Sequence, residues 1–149
     1  MAITGTVRCD PGVVNFASGS FQDTGTILAT AIKLGFVPRY VRLENVTDRD
    51  GWEWFEGADN GTTLKTVAAG TRTLDTADAA INVGTLSTTT AGVYQVYEQT
   101  TYSVGVPGTA AAEDTDSSHT NTANEKVVGC WFPQAVLEAS KQYRWHAMG

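Results

Sequence analysis

Residues 31–56 pass through three runs of alternating apolar and polar positions separated by two turns. The first run ends at Leu34, with Ile32 and Leu34 on one side of a strand expected over residues 25–34. Gly35-Phe36-Val37-Pro38 then turns the chain, because Pro38 lacks the N–H a helix needs and pushes Val37 toward extended geometry. From Tyr40 to Thr47, Val41 and Leu43 share one side while Arg42 and Glu44 share the other. That is the pattern of a strand with one buried and one wet face. Asp48-Arg-Asp-Gly51 predicts a turn in which Asp bonds the downstream backbone and Gly51 takes a positive φ. Trp52 and Trp54 follow on one side of the next strand, with Glu53 and Phe55 opposite. The simplest hairpin sets Trp54 across from Asn45, on the Val41/Leu43 face.

The rest of the chain repeats this style with weaker signals. A short strand is expected at Ile3 to Arg8, and Gly- and Ser-bearing loops follow it. Asn60-Gly61 marks another turn. Residues 64–67, 72–74 and 80–83 read as short strands, and Asp75 to Ala80 as one turn of helix. Val93 to Val104 is a strong strand in which Tyr94, Val96, Tyr102 and Val104 share a side. Residues 107–125 are Ala, Thr, Ser, Asp and Asn without a period, which predicts a long exposed polar loop. Val127 to Phe132 reads as a buried run that Pro133 ends. Gln142 to Met148 closes the chain, with Tyr143, Trp145 and Ala147 on the core side and His146 opposite. About eight short strands, little helix and glycine-rich turns predict an all-β protein. The expected architecture is a single antiparallel β-sandwich domain over residues 1–149, jelly-roll-like or lectin-like.

Composition narrows the partners. The net charge is −6 and the ten Lys and Arg residues are scattered, which disfavours a nucleic-acid surface because such affinity rests on cations neutralising phosphates. No apolar run approaches the ~20 residues a membrane helix needs, so no membrane association is expected. The start, Met-Ala-Ile-Thr-Gly-Thr-Val-Arg8, lacks a charged and then apolar leader, so no secretory signal is expected. Cys9 and Cys130 read as free thiols rather than as a disulfide framework.

Candidate chemistry is sparse. His119, between Ser118 and Thr120, has no ligand-type residue at metal spacing and reads as a solvated loop residue. Glu44, Asp48, Asp50, Glu53, Glu56 and Asp59 form an acidic stretch, and Asp48-x-Asp50-Gly51 opens like a calcium loop. Its glycine comes too early and its third acid is missing, so these read as turn acids and the wet side of a strand. No Gly-x-Ser-x-Gly elbow and no phosphate loop occurs. The expectation is a protein without catalytic residues, cofactor or metal. Trp52, Trp54, Phe55, Tyr94, Tyr97 and His146 are the candidates for contact with a partner, because exposed aromatics give large contact area at low entropic cost.

Two segments carry a family resemblance. Lys33-Leu-Gly-Phe-Val-Pro-Arg-Tyr-Val-Arg-Leu43 resembles a segment of small virion proteins of tailed bacteriophages. Tyr143-Arg-Trp-His-Ala-Met-Gly149 resembles the closing strand of phage fibre and H-type-lectin-like β-sandwiches. The resemblance implies a non-enzymatic structural protein of the virion, a decoration or cement protein on the outside of the head. It also implies a homotrimer whose partner is the major capsid protein or another virion protein. The alternative is a tail- or fibre-associated module that binds a receptor or carbohydrate through Trp52, Trp54 and the 107–125 loop.

Overall fold

The computed structural model describes residues 15–22, 27–76, 81–101 and 115–149. The strand expected at Ile3 to Arg8, Cys9, most of the helical turn before Ile81, Tyr102, Val104 and the first part of the polar loop lie outside them.

The protein is all-β, a sandwich of two sheets. Strands β1 (Phe16–Gln22), β3 (Tyr40–Asn45), β4 (Asp50–Phe55), β5 (Thr63–Thr66), β6 (Arg72–Asp75) and β11 (Gln142–Met148) form a six-stranded sheet, in the order β1-β11-β3-β4-β5-β6. Strands β2 (Ala29–Lys33), β7 (Asn82–Leu86), β8 (Tyr94–Thr101), β9 (Thr115–Thr120) and β10 (Val127–Phe132) form a five-stranded sheet, ordered β7-β10-β2-β8-β9. One short 3₁₀ turn spans Gln134–Val136. The described residues thus hold eleven strands where the sequence suggested about eight.

All pairs are antiparallel except β2 with β8, which runs parallel from Ala29↔Tyr94 to Ile32↔Tyr97. Parallel neighbours need a long crossover. Here the chain leaves β2, builds β3 to β6 in the other sheet, and returns through β7 before entering β8.

The interior follows from the alternation. Val41, Leu43, Trp52, Trp54, Tyr143 and Ala147 from the six-stranded sheet meet Ile32, Cys130 and Phe132 from the five-stranded sheet in one buried cluster. Phe21 joins it, stacked 5.3 Å from Tyr143 and 5.5 Å from Tyr97 between ring centroids. Trp145, expected in the core, is half-buried and packs against this cluster. It lies beneath Gly19, where a Cβ would come within 2.8 Å of the indole.

The β3–β4 hairpin corrects the expected register. Trp54 pairs with Val41 and Trp52 with Leu43, while Asn45 faces Asp50. The face assignment survives and the turn moves two residues toward the N-terminus. Asn45 makes the turn: its Oδ1 accepts the Asp48 N–H at 3.0 Å, and its Nδ2 donates to Asp48 Oδ2 at 3.0 Å. Arg49 rather than Gly51 takes the positive φ, at 67°.

The expected polar loop is also corrected. Thr115–Thr120 form β9, paired with β8 from Gln95↔Thr120 to Thr101↔Thr115. Such an edge strand needs backbone pairing and no apolar face, so its composition hid it. Asn121 then turns inward and is buried. Its Oδ1 accepts the N–H groups of Val93 (2.7 Å) and Tyr94 (3.1 Å), and its Nδ2 donates to the Thr90 carbonyl at 2.9 Å.

Candidate functional site

The side of the six-stranded sheet turned away from the interior is built by the polar positions of β1, β11, β3 and β4. Cross-strand register brings them into rows. In the first row Phe16 faces Met148, Met148 faces Tyr40, and Tyr40 faces Phe55. Four adjacent strands spaced ~4.8 Å apart make this row about 14 Å long. Phe16 is 60% exposed, Phe55 47% and Met148 40%. His146 sits in the next row, its ring 6.4 Å from Phe16 and 5.7 Å from Tyr40 between centroids.

Charged residues continue the face beyond the aromatic row. His146 faces Arg42, which faces Glu53, and Arg144 faces Glu44. Glu44 accepts hydrogen bonds from Arg42 at 2.6 Å and from Arg144 at 2.8 Å. Glu53 is bonded to Arg42 and, at 3.1 Å, to Arg72. The carboxylates lie under the guanidiniums: the Glu53 and Glu44 side chains are 17% and 26% exposed, those of Arg72 and Arg144 54% and 66%. A partner therefore meets cationic heads beside an apolar ridge, in a chain whose net charge is −6.

The electrostatics agree with that layering. The Arg144 hydrogen bond, with Arg42 beside it, holds the Glu44 carboxyl below its usual range against the opposing effect of burial. Burial disfavours the Arg42 charge, but Glu44 and Glu53 outweigh it and raise its pKa. Burial and then the Glu53 charge push the Tyr40 phenol up, so it stays a neutral donor near neutral pH.

The structure divides the six predicted contact residues. Phe55 and His146 lie on this face, joined through Tyr40. Trp52 and Trp54 do not, which corrects the expectation: both are buried on the core side, Trp54 donating to the Asp59 carbonyl at 3.3 Å. Tyr94 is likewise buried, its hydroxyl reaching the Glu125 carbonyl at 3.5 Å. Tyr97 is half-buried against Phe21. Phe16, Tyr40 and Met148 were missed. Their signal was parity: Tyr40 shares a side with Arg42 and Glu44, and Met148 with His146.

His119 is the other correction. It lies in β9, with Nε2 2.7 Å from Glu125 Oε1 and Nδ1 3.9 Å from Glu98, whose other oxygen accepts from Lys33 at 2.8 Å. The His119 contact and the Thr122 N–H hold the Glu125 carboxyl below its usual range. The acids of the turn also have partners: Asp48 accepts from Lys141 at 2.8 Å, and Asp50 from the Ala68 N–H at 3.1 Å. Cys130 is a free thiol, and burial pushes its pKa far up. Among the described residues no group of three or more His, Cys, Asp or Glu could hold a metal ion. No helix among them is long and apolar enough to cross a membrane.

Comparison with family models, with curated proteins and with solved structures gives no match for this chain.

Proposed function

We propose that this protein is a non-enzymatic structural component of a tailed-phage virion, a trimeric decoration protein that docks on the major capsid protein through the outer face of its six-stranded sheet. One observation carries the docking part: the exposed row Phe16–Met148–Tyr40–Phe55 across four adjacent strands. Contiguous apolar surface on a sheet is costly in water and marks an interaction site where polar groups rim it. Arg144 and Arg72 form such a rim and favour an acidic partner surface. The virion and the trimer come from the sequence resemblance at residues 33–43 and 143–149. A repeated shell suits a small module, because many modest contacts sum through multivalency.

The test is binding to purified phage heads together with the mass of the free protein in solution. The expected result is a trimer that labels heads at high copy, and a Phe16→Ser/Phe55→Ser variant that folds normally but binds at least roughly tenfold more weakly. A monomer absent from heads, or a double variant that binds like the parent, would sink this reading.

A further inference from the structure

A second feature lies on the β1 side of the sandwich. A groove of about 450 Å³ runs between β1 and the region where β2 ends beside β8. That volume falls in the ~300–1,000 Å³ range of ligand clefts. One wall is six consecutive residues of β1, from Phe16 to Phe21, and the other is Ile32 to Leu34 with Tyr97 to Gln99. Trp145 also lines it, and only a glycine at position 19 lets the indole lie that close to β1.

We propose that this groove binds a neutral oligosaccharide. Three properties of the lining select that chemistry. First, Trp145 and Tyr97 offer aromatic surface, which suits the C–H face of a pyranose ring. Second, the lining's two charged residues, Lys33 and Glu98, neutralise each other in a 2.8 Å ion pair, so the groove has no net charge with which to select an anion or cation. Third, Ser18, Ser20 and Gln99 add hydroxyl and amide groups to the lining. A purely apolar ligand would leave these polar groups without partners, which costs free energy.

Of the exposed row only Phe16 borders the groove, and Tyr40, Met148 and Phe55 do not, so substitutions at Phe55 test the row apart from the groove. Isotope-labelled full-length protein is titrated with neutral hexasaccharides of glucose, galactose and N-acetylglucosamine. For at least one sugar, saturable shifts are expected at the Trp145 indole N–H and at the Gly19, Lys33 and Gln99 amides. Ser20→Trp, which fills the groove from an exposed position, should weaken binding roughly tenfold or more. Gln99→Ala should weaken it less, and Phe55→Ser should leave it unchanged. Failure of all three sugars to shift these groups overturns the proposal, as does a Ser20→Trp variant that folds and binds like the parent. Neither result bears on docking to a shell.

Discussion

On the five-stranded sheet, the side turned away from the sandwich interior holds Ala31, Tyr94, Val96 and Val127, all buried within the chain as a second apolar cluster. The corresponding side of the six-stranded sheet leaves Phe16, Phe55 and Met148 between 40% and 60% exposed. The register explains how each arises: Ala29 and Ala31 of β2 face Tyr94 and Val96 of β8 with small beside large, whereas Phe16, Met148, Tyr40 and Phe55 are all large and stand out. Asn121 fixes the start of β8, and the Tyr94 hydroxyl reaches the Glu125 carbonyl. On the other face Phe16, Phe55 and Met148 stay exposed. The same kind of residue is therefore buried on one face and exposed on the other.

The sharpest way to break that contrast is to truncate one aromatic on each face. Tyr94→Ala should destabilise by roughly 3–5 kcal/mol, because it opens a cavity in a closed cluster. Phe55→Ser should change stability by no more than about 0.5 kcal/mol, as expected of an exposed site. Urea unfolding of both variants measures the difference. Similar losses would mean the two faces are not of different kinds.

Acid separates the faces by a smaller amount. Glu44, Asp48 and Glu125 all have pKa values lowered in the folded protein, by Arg144, Lys141 and His119 respectively. A depressed carboxylate contributes stability that is present above its unfolded pKa and is lost as pH falls through the folded one. Melting temperature should therefore hold from neutral pH to about 5 and fall below about 4. Glu44→Gln should flatten that fall by a few tenths of a kcal/mol, the scale of partly exposed pairs. An acid limb unchanged in the variant would show that the Arg–Glu layer adds nothing measurable to stability.

What the sequence could tell follows from how local each feature is. Alternation along β3 and β4 is local, so it was legible that Val41 and Leu43 share a side and that Trp52 and Trp54 share one; that the two tryptophans go to the core and not to a partner surface was not. Register is less local. The four residues Asp48 to Gly51 carry ordinary turn chemistry, yet the loop closed earlier because Asn45 bonds Asp48 with both its oxygen and its nitrogen. That the exposed row runs across four strands was beyond reach of the sequence. It depends on the strand order β1-β11-β3-β4, which joins residues 16, 148, 40 and 55 from opposite ends of the chain. The strand at Thr115–Thr120 was hidden for a different reason: edge pairing leaves no hydrophobic period to read.

A further small effect concerns the turn that holds two members of the exposed row in line. Tyr40 faces Phe55 only because the β3–β4 hairpin closes on Asn45↔Asp50, with Arg49 at a φ of 67°. A side chain in that conformation costs about 1–2 kcal/mol relative to ordinary geometry. Glycine removes the cost, but it loses about 0.4–1 kcal/mol through the greater freedom of its unfolded chain. Arg49 is exposed, so its side chain offers little to set against the exchange. Arg49→Gly should therefore stabilise the protein by about 0.5 kcal/mol and leave head binding unchanged, since the register survives. A melting temperature raised by about 1–2 °C would fit a chain of this size. A clear drop would instead show that Arg49 makes a contact worth more than its backbone strain.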